Sequence, residues 1–199
     1  MTSPVLWYLN RGTGVVLLLV FTMTVLLGVL ATGRAVHPWW PRFVTQGLHR
    51  ALAAMSVLLL AAHVLTAVLD EYVDIRWWQA VLPFGATYEP LWLALGAVAL
   101  DVTVVVVATS LARTRISHRG WSLVHLTTYL AWCSAVAHGI GIGTDAGRPW
   151  MASMTAASVA AVVLAALARV TAVVRVRRRR AVLEGGVDAL QSVLSGGAR

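Results

Sequence analysis

Apolar residues run through this chain in long blocks, and polar and turn-forming residues gather between them. A helix crossing a hydrocarbon core of about 30 Å needs about 20 mostly apolar residues. Five stretches meet that length: residues 14–32, 48–69, 91–112, 121–142 and 150–174. None alternates apolar and polar positions with period two, which argues against a transmembrane barrel. Between the blocks lie His37-Pro38-Trp39-Trp40-Pro41, Leu82-Pro83-Phe84-Gly85, Arg119-Gly120 and residues 143–149. The pattern predicts an all-α, polytopic membrane bundle of five transmembrane helices. Residues 1–174 would form the membrane domain and 175–199 a short basic tail, in which 181–194 can make one amphipathic helix. The first block also has a signal-peptide reading, because Arg11 precedes its apolar centre, but no clear small-x-small cleavage site follows it.

Composition agrees with the pattern. Of the 199 residues, 59% are apolar and 12% charged, against about a quarter charged in a soluble domain. Disorder would need the reverse balance. The net charge of +8 raises nucleic acid as a partner, but the cations make no single face and fall between the blocks or after the last. All 16 basic residues are arginines. Arg34, Arg42 and Arg50 mark the first connection, Arg113, Arg115 and Arg119 the third, and Arg175, Arg177, Arg178, Arg179 and Arg180 the tail. The second connection instead carries Asp70, Glu71, Asp74 and Glu89 against Arg76, and the fourth balances Asp145 with Arg148. The positive-inside rule then sets the first and third connections and the tail in the cytoplasm, with the N-terminus outside. A multi-pass protein of the cell membrane is expected, in contact with lipid and not with nucleic acid. Cys133 is the single cysteine, so no disulfide framework is available.

Ionisable residues inside spans are costly and mark function by default. Here the second span carries His49 and His63, and the fourth His125 and His138. Both spans run from cytoplasm to outside, so His49 and His125 share the cytoplasmic level, and His63 and His138 the outer one. The offsets of 14 and 13 residues correspond to about 21 and 19.5 Å of helix rise. Imidazole is an axial ligand of haem iron, and one from each helix fills both axial positions. Two b-type haems stacked across the membrane satisfy all four side chains. Zinc or copper fits poorly, because the histidines of one helix are too far apart to meet at one ion. At about 100° per residue the 14-residue offset returns to one face, whereas 13 residues miss by about 140°. The fourth span is therefore expected to be twisted, to be wound more loosely, as by a π-bulge, or to present its ligands from different sides.

These offsets on two parallel helices resemble the ferric reductase-like transmembrane domain family, which includes NADPH oxidases and ferric-chelate reductases. The stretches from Pro83-Phe84 to Tyr88-Glu89-Pro90-Leu91-Trp92 and from His138-Gly139 to Ala146-Gly147 are similar to small actinobacterial members. The resemblance implies a transmembrane electron-transfer protein, a ferric reductase-like oxidoreductase subunit with two haem b. His49 and His125 would be the inner axial ligands, and His63 and His138 the outer ones. It further implies a cytoplasmic flavoprotein as electron donor and an external acceptor such as ferric chelate, oxygen or quinone. No flavin or nicotinamide site is recognised in this chain, so the donor is expected to be a separate protein. Superoxide-producing members carry a second histidine one turn after the outer ligand of the second span; here that position is Ala67. Two other readings are a quinone-linked haem subunit of a reductase system and a non-enzymatic helical module with structural histidines.

Other residues carry weaker signals. Asp101, the one acid of the third span, is a candidate for a proton or quinone role or for support of a haem ligand. Arg50, next to His49, is the candidate contact for a haem propionate. Trp132 is a candidate inter-haem aromatic, although it and Tyr129 also read as packing residues. Trp39, Trp40, Trp77, Trp78, Trp121 and Trp150 fall near span ends, where tryptophan favours the interface. His37 and His118 lie in connections and are given no ligand role.

Overall fold

The computed structural model describes residues 4–32, 41–70 and 75–196. Arg34, His37, Trp39, Trp40, Glu71 and Asp74 lie outside the described residues. Those described form helices α1 (Pro4–Thr32), α2 (Arg42–Leu69), the short α3 (Trp77–Val81), α4 (Pro90–Leu111), α5 (His118–Leu126), α6 (Thr128–Ile142) and α7 (Pro149–Gly196). A 3₁₀ turn, Arg113–Arg115, joins α4 to α5. The fold is all-α, with no strand among the described residues.

Four helices are long and apolar enough to cross a membrane: Pro4–Ala31, Phe43–Leu69, Pro90–Leu111 and Pro149–Arg179. Their outward faces are apolar, with Leu58, Leu111 and Leu164 all more than 60% exposed. Such a surface suits hydrocarbon and not water. Hydroxyls inside these helices are satisfied locally. Thr22 donates to the Leu18 carbonyl, Ser56 to Leu52 and Thr103 to Ala99, the back-bonding open to short polar side chains in a helix.

The helix starts follow local chemistry. Proline opens α4 and α7, at a position where its missing N–H costs nothing. Glu89 precedes α4 with φ of 40°, turning the chain sharply into Pro90. Ser117 caps α5 by accepting from the Gly120 amide at 3.2 Å. In the second connection, Gln79 accepts from the Arg76 amide and donates to the Gly85 carbonyl, which folds α3 back onto the loop.

The fourth expected span, 121–142, differs from the other four: it is two helices, α5 and α6, meeting at Thr127. The looser winding expected there is not found. The Thr127 amide bonds the Val124 carbonyl at 3.0 Å, an i→i+3 spacing tighter than the α-helix. A 3₁₀ residue turns about 120° instead of about 100°, so tightening adds rotation in the direction that a 13-residue offset lacks. Thr127 and Thr128 hydroxyls hold the junction, donating to the carbonyls of Val124 and His125 at 2.6 Å each. Two other boundaries move. The first helix begins at Pro4, ahead of residue 14, and the fifth continues without interruption through the basic tail as one 48-residue helix.

Packing gives the topology. Asn10 meets His63 while Thr24 meets His49 and Ser56, so α1 and α2 are antiparallel. Trp92 meets His138 and Ser110 meets His125, so α4 lies antiparallel to α5 and α6. Trp132 of α6 joins Val25 of α1 and Val162 of α7 in the buried core. Arg11 pairs with Asp145, tying α1 to the connection after α6.

Candidate functional site

The fold brings the four histidines together two by two. The His49 and His125 ring centroids are 6.2 Å apart, and those of His63 and His138 6.4 Å apart. Helix α2 thus runs parallel to α5–α6, and each pair bridges the two. The ring planes within the pairs are inclined by 63° and 87°.

Each ring is held from behind. The Nδ1–H of His49 donates to the Thr24 carbonyl at 2.9 Å, that of His63 to Asn10 at 3.1 Å, and that of His138 to Trp92 at 2.8 Å. A carbonyl can only accept, so these bonds place the proton on Nδ1 and leave Nε2 with its lone pair. That is the tautomer in which an imidazole ligates a metal, and the back-bond that commonly fixes it. His125 is held differently. Its Nδ1 lies 3.5 Å from the Ser110 hydroxyl, and its ring stacks on Trp121 at 5.0 Å and 27°.

A repeated device lets the imidazoles reach backbone that a helix normally shields. The three accepting carbonyls belong to Asn10, Thr24 and Trp92, and four residues after each comes Gly14, Gly28 or Gly96. A Cβ on Gly14 would stand 3.0 Å from the His63 ring, on Gly28 3.4 Å from His49, and on Gly96 2.7 Å from His138. These glycines were not identified from the sequence alone. The available signal was their spacing: Gly14 to Gly28 spans 14 residues, as His49 to His63 does on the antiparallel neighbour.

Two rings so arranged can hold one metal ion between them. A bond of about 2 Å from the ion to each nitrogen, with each ring centre about 1.2 Å behind, puts the centroids about 6.3 Å apart. Both observed separations agree with that figure. Among the described residues no three of His, Cys, Asp and Glu gather at one point, so each site offers two protein ligands. The remaining positions would belong to a planar tetradentate group such as a porphyrin. A cavity of about 270 Å³ opens beside His63 and His138; its lining is mostly apolar and includes Asn10, Arg11, Tyr88 and Asp145.

The other candidates fall as follows. Trp132 is 4% exposed, packs with α1 and α7, and donates its indole N–H to Thr22 at 3.0 Å; packing and one hydrogen bond account for it. Arg50 is exposed. Asp101 lies nine residues from both Trp92 and Ser110, half a turn from the line that meets His138 and His125. It therefore points away from the histidine face, and it makes no hydrogen bond among the described residues. Support of a histidine by Asp101 has no geometric basis. Trp121, expected as an interfacial anchor, is instead part of the site.

Comparison with protein-family models, with curated proteins and with solved structures finds no match to this chain.

Proposed function

We propose that this chain is a b-type di-haem membrane protein that carries electrons from a cytoplasmic flavoprotein to an acceptor at the outer face, in the manner of ferric reductase-like proteins. The observation that carries this reading is the pair of matched histidine bridges, each at the centroid separation that two imidazoles holding one iron would have. The arginine bias supports the direction, with His49 and His125 at the cytoplasmic side and His63 and His138 at the outer side.

When bound, the haems supply one-electron redox chemistry. The chain supplies the rest. His49 with His125, and His63 with His138, are the residues that would hold the two haem irons, and two imidazoles at each iron would leave no site for an exogenous ligand. Backbone carbonyls orient His49, His63 and His138, and fix their tautomer before any ligand arrives. Preorganised ligands avoid a reorganisation cost that rotating rings would incur. The apolar walls around the cavity exclude water and lower the local dielectric. Three to four turns of helix separate the two levels, so each pair is held rigidly by the same α2 and α5–α6 scaffold.

The test is a pyridine haemochrome assay with a reduced-minus-oxidised spectrum on the purified chain, expressed with adequate haem. About two non-covalent haems b per chain are expected. A value near zero returns the histidines to a structural role.

A further inference from the structure

Burying an indole N–H without an acceptor costs about as much as losing a hydrogen bond, and native structures rarely tolerate it. Among the described residues one buried side-chain nitrogen or oxygen lacks a partner: Nε1 of Trp121. Its ring lies flat against the His125 ring at 5.0 Å. It sits one helical turn nearer the α5 N-terminus than that histidine, and its other ring neighbour is His118 at 5.9 Å. The unbonded donor is therefore at the edge of the His49–His125 site and not at a random place on the surface.

Its surroundings favour a negative acceptor. Arg113, Arg115 and Arg119 are exposed within eight residues of it in sequence, and the α5 N-terminus lies on the same side, where the helix dipole attracts anions. Between Glu89 and Asp145 the only acid is Asp101, which points elsewhere. The chain thus offers a buried donor in a positive setting, and no carboxylate among the described residues meets it.

We propose that Trp121 donates its indole N–H to a carboxylate of the ligand held by His49 and His125. This rests on the di-haem reading, in which that carboxylate is a haem propionate. Arg50, the neighbour of His49, is then not the principal contact. Stacking and hydrogen bonding make Trp121 a single clamp: its face positions the His125 ring, which lacks a carbonyl back-bond, and its edge holds the porphyrin.

The experiment compares the full-length chain with Trp121→Phe, which keeps an aromatic face and removes the N–H. Each is reconstituted with haem b and with haem b dimethyl ester, whose propionates carry no charge. Transfer of haem to apomyoglobin should be about tenfold faster for the His49–His125 component of Trp121→Phe, the size of one charge-assisted hydrogen bond. With the ester, wild type and variant should release alike, and the His63–His138 component should not change in either. Ultraviolet resonance Raman difference spectra, wild type minus variant, isolate the Trp121 indole among nine tryptophans. Its N–H band should move to a bonded position on loading haem b and move less with the ester. Equal release of haem b by wild type and variant overturns the proposal. So does a bonded indole in the haem-free chain, which would assign the acceptor to water. A wild type that takes up no haem at all overturns the di-haem reading itself, a result distinguishable from both.

Discussion

A histidine in an apolar helix is useful only if its lone pair is aimed, and three of these four are aimed by carbonyls exposed over a glycine. The clearances differ, which ranks the substitutions. Gly96→Ala sets a methyl 2.7 Å from the His138 ring and should break its bond to Trp92, at a cost of about 2 kcal/mol. Gly28→Ala meets His49 at ordinary contact distance, 3.4 Å, and should be nearly silent, with Gly14→Ala between them. Haem content and the difference spectrum of each variant check this order; a Gly28 variant worse than the Gly96 one would contradict it. Pairing gives a second expectation. His49→Ala and His125→Ala should remove one spectral component, and His63→Ala and His138→Ala the other. If His49→Ala and His63→Ala instead remove the same component, the bridges are misassigned. If the pairs hold haem as proposed, the ring inclinations of 63° and 87° should give strongly anisotropic low-spin electron paramagnetic resonance signals. The histidines were legible in the sequence because charge-bearing residues stand out in an apolar block. The glycines were not, since small residues are common wherever membrane helices pack.

Elements are held together by few polar ties, and each should be measurable. Trp132 pins α6 to α1 through Thr22 and fills the core between α1, α6 and α7. Trp132→Phe should lose only the hydrogen bond, about 1 kcal/mol. Trp132→Ala should lose about 3–5 kcal/mol through the cavity it leaves. Thermal unfolding in detergent reads both, and equal losses would mean that the hydrogen bond, not the ring volume, dominates. At this scale the sequence exposed a problem without its solution. The 13-residue offset between His125 and His138 could not fit a straight helix, and a twist, looser winding or ligands presented from different sides were the readings open; tighter winding was not among them. The choice of a tightened junction at Thr127 depends on threonine hydroxyls finding carbonyls, a three-dimensional fact with no periodic signature. Similarly, hydropathy ended the last span near residue 174, whereas helix propagation through Arg175–Arg180 depends on backbone bonding that arginine does not oppose.

For the molecule as a whole, orientation is the consequence most open to test. A reporter fused after Arg199 should lie in the cytoplasm, and one inserted between Asp74 and Glu89 outside; the opposite result would exchange the inner and outer labels of the two histidine pairs and reverse the proposed direction of electron flow. That expectation comes from arginine counts in the connections and needed no coordinates. The all-helical class, the lipid-suited surface, the level of each histidine and the identity of its partner are likewise consequences of spacing along the chain, because helix rise converts residue number directly into depth. Depth alone does not bring two rings together. That α2 and α5–α6 face each other, that α1 and α4 stand behind them with the accepting carbonyls, that Trp121 stacks on His125 while Asp101 turns away, and that Arg11 reaches Asp145 are matters of azimuth and of contacts between helices distant in sequence. One-dimensional periodicity marks the apolar faces but cannot say which face meets which, since in a lipid-suited bundle nearly every face is apolar. Close packing over glycines makes that selection, and it exists only once the helices have assembled.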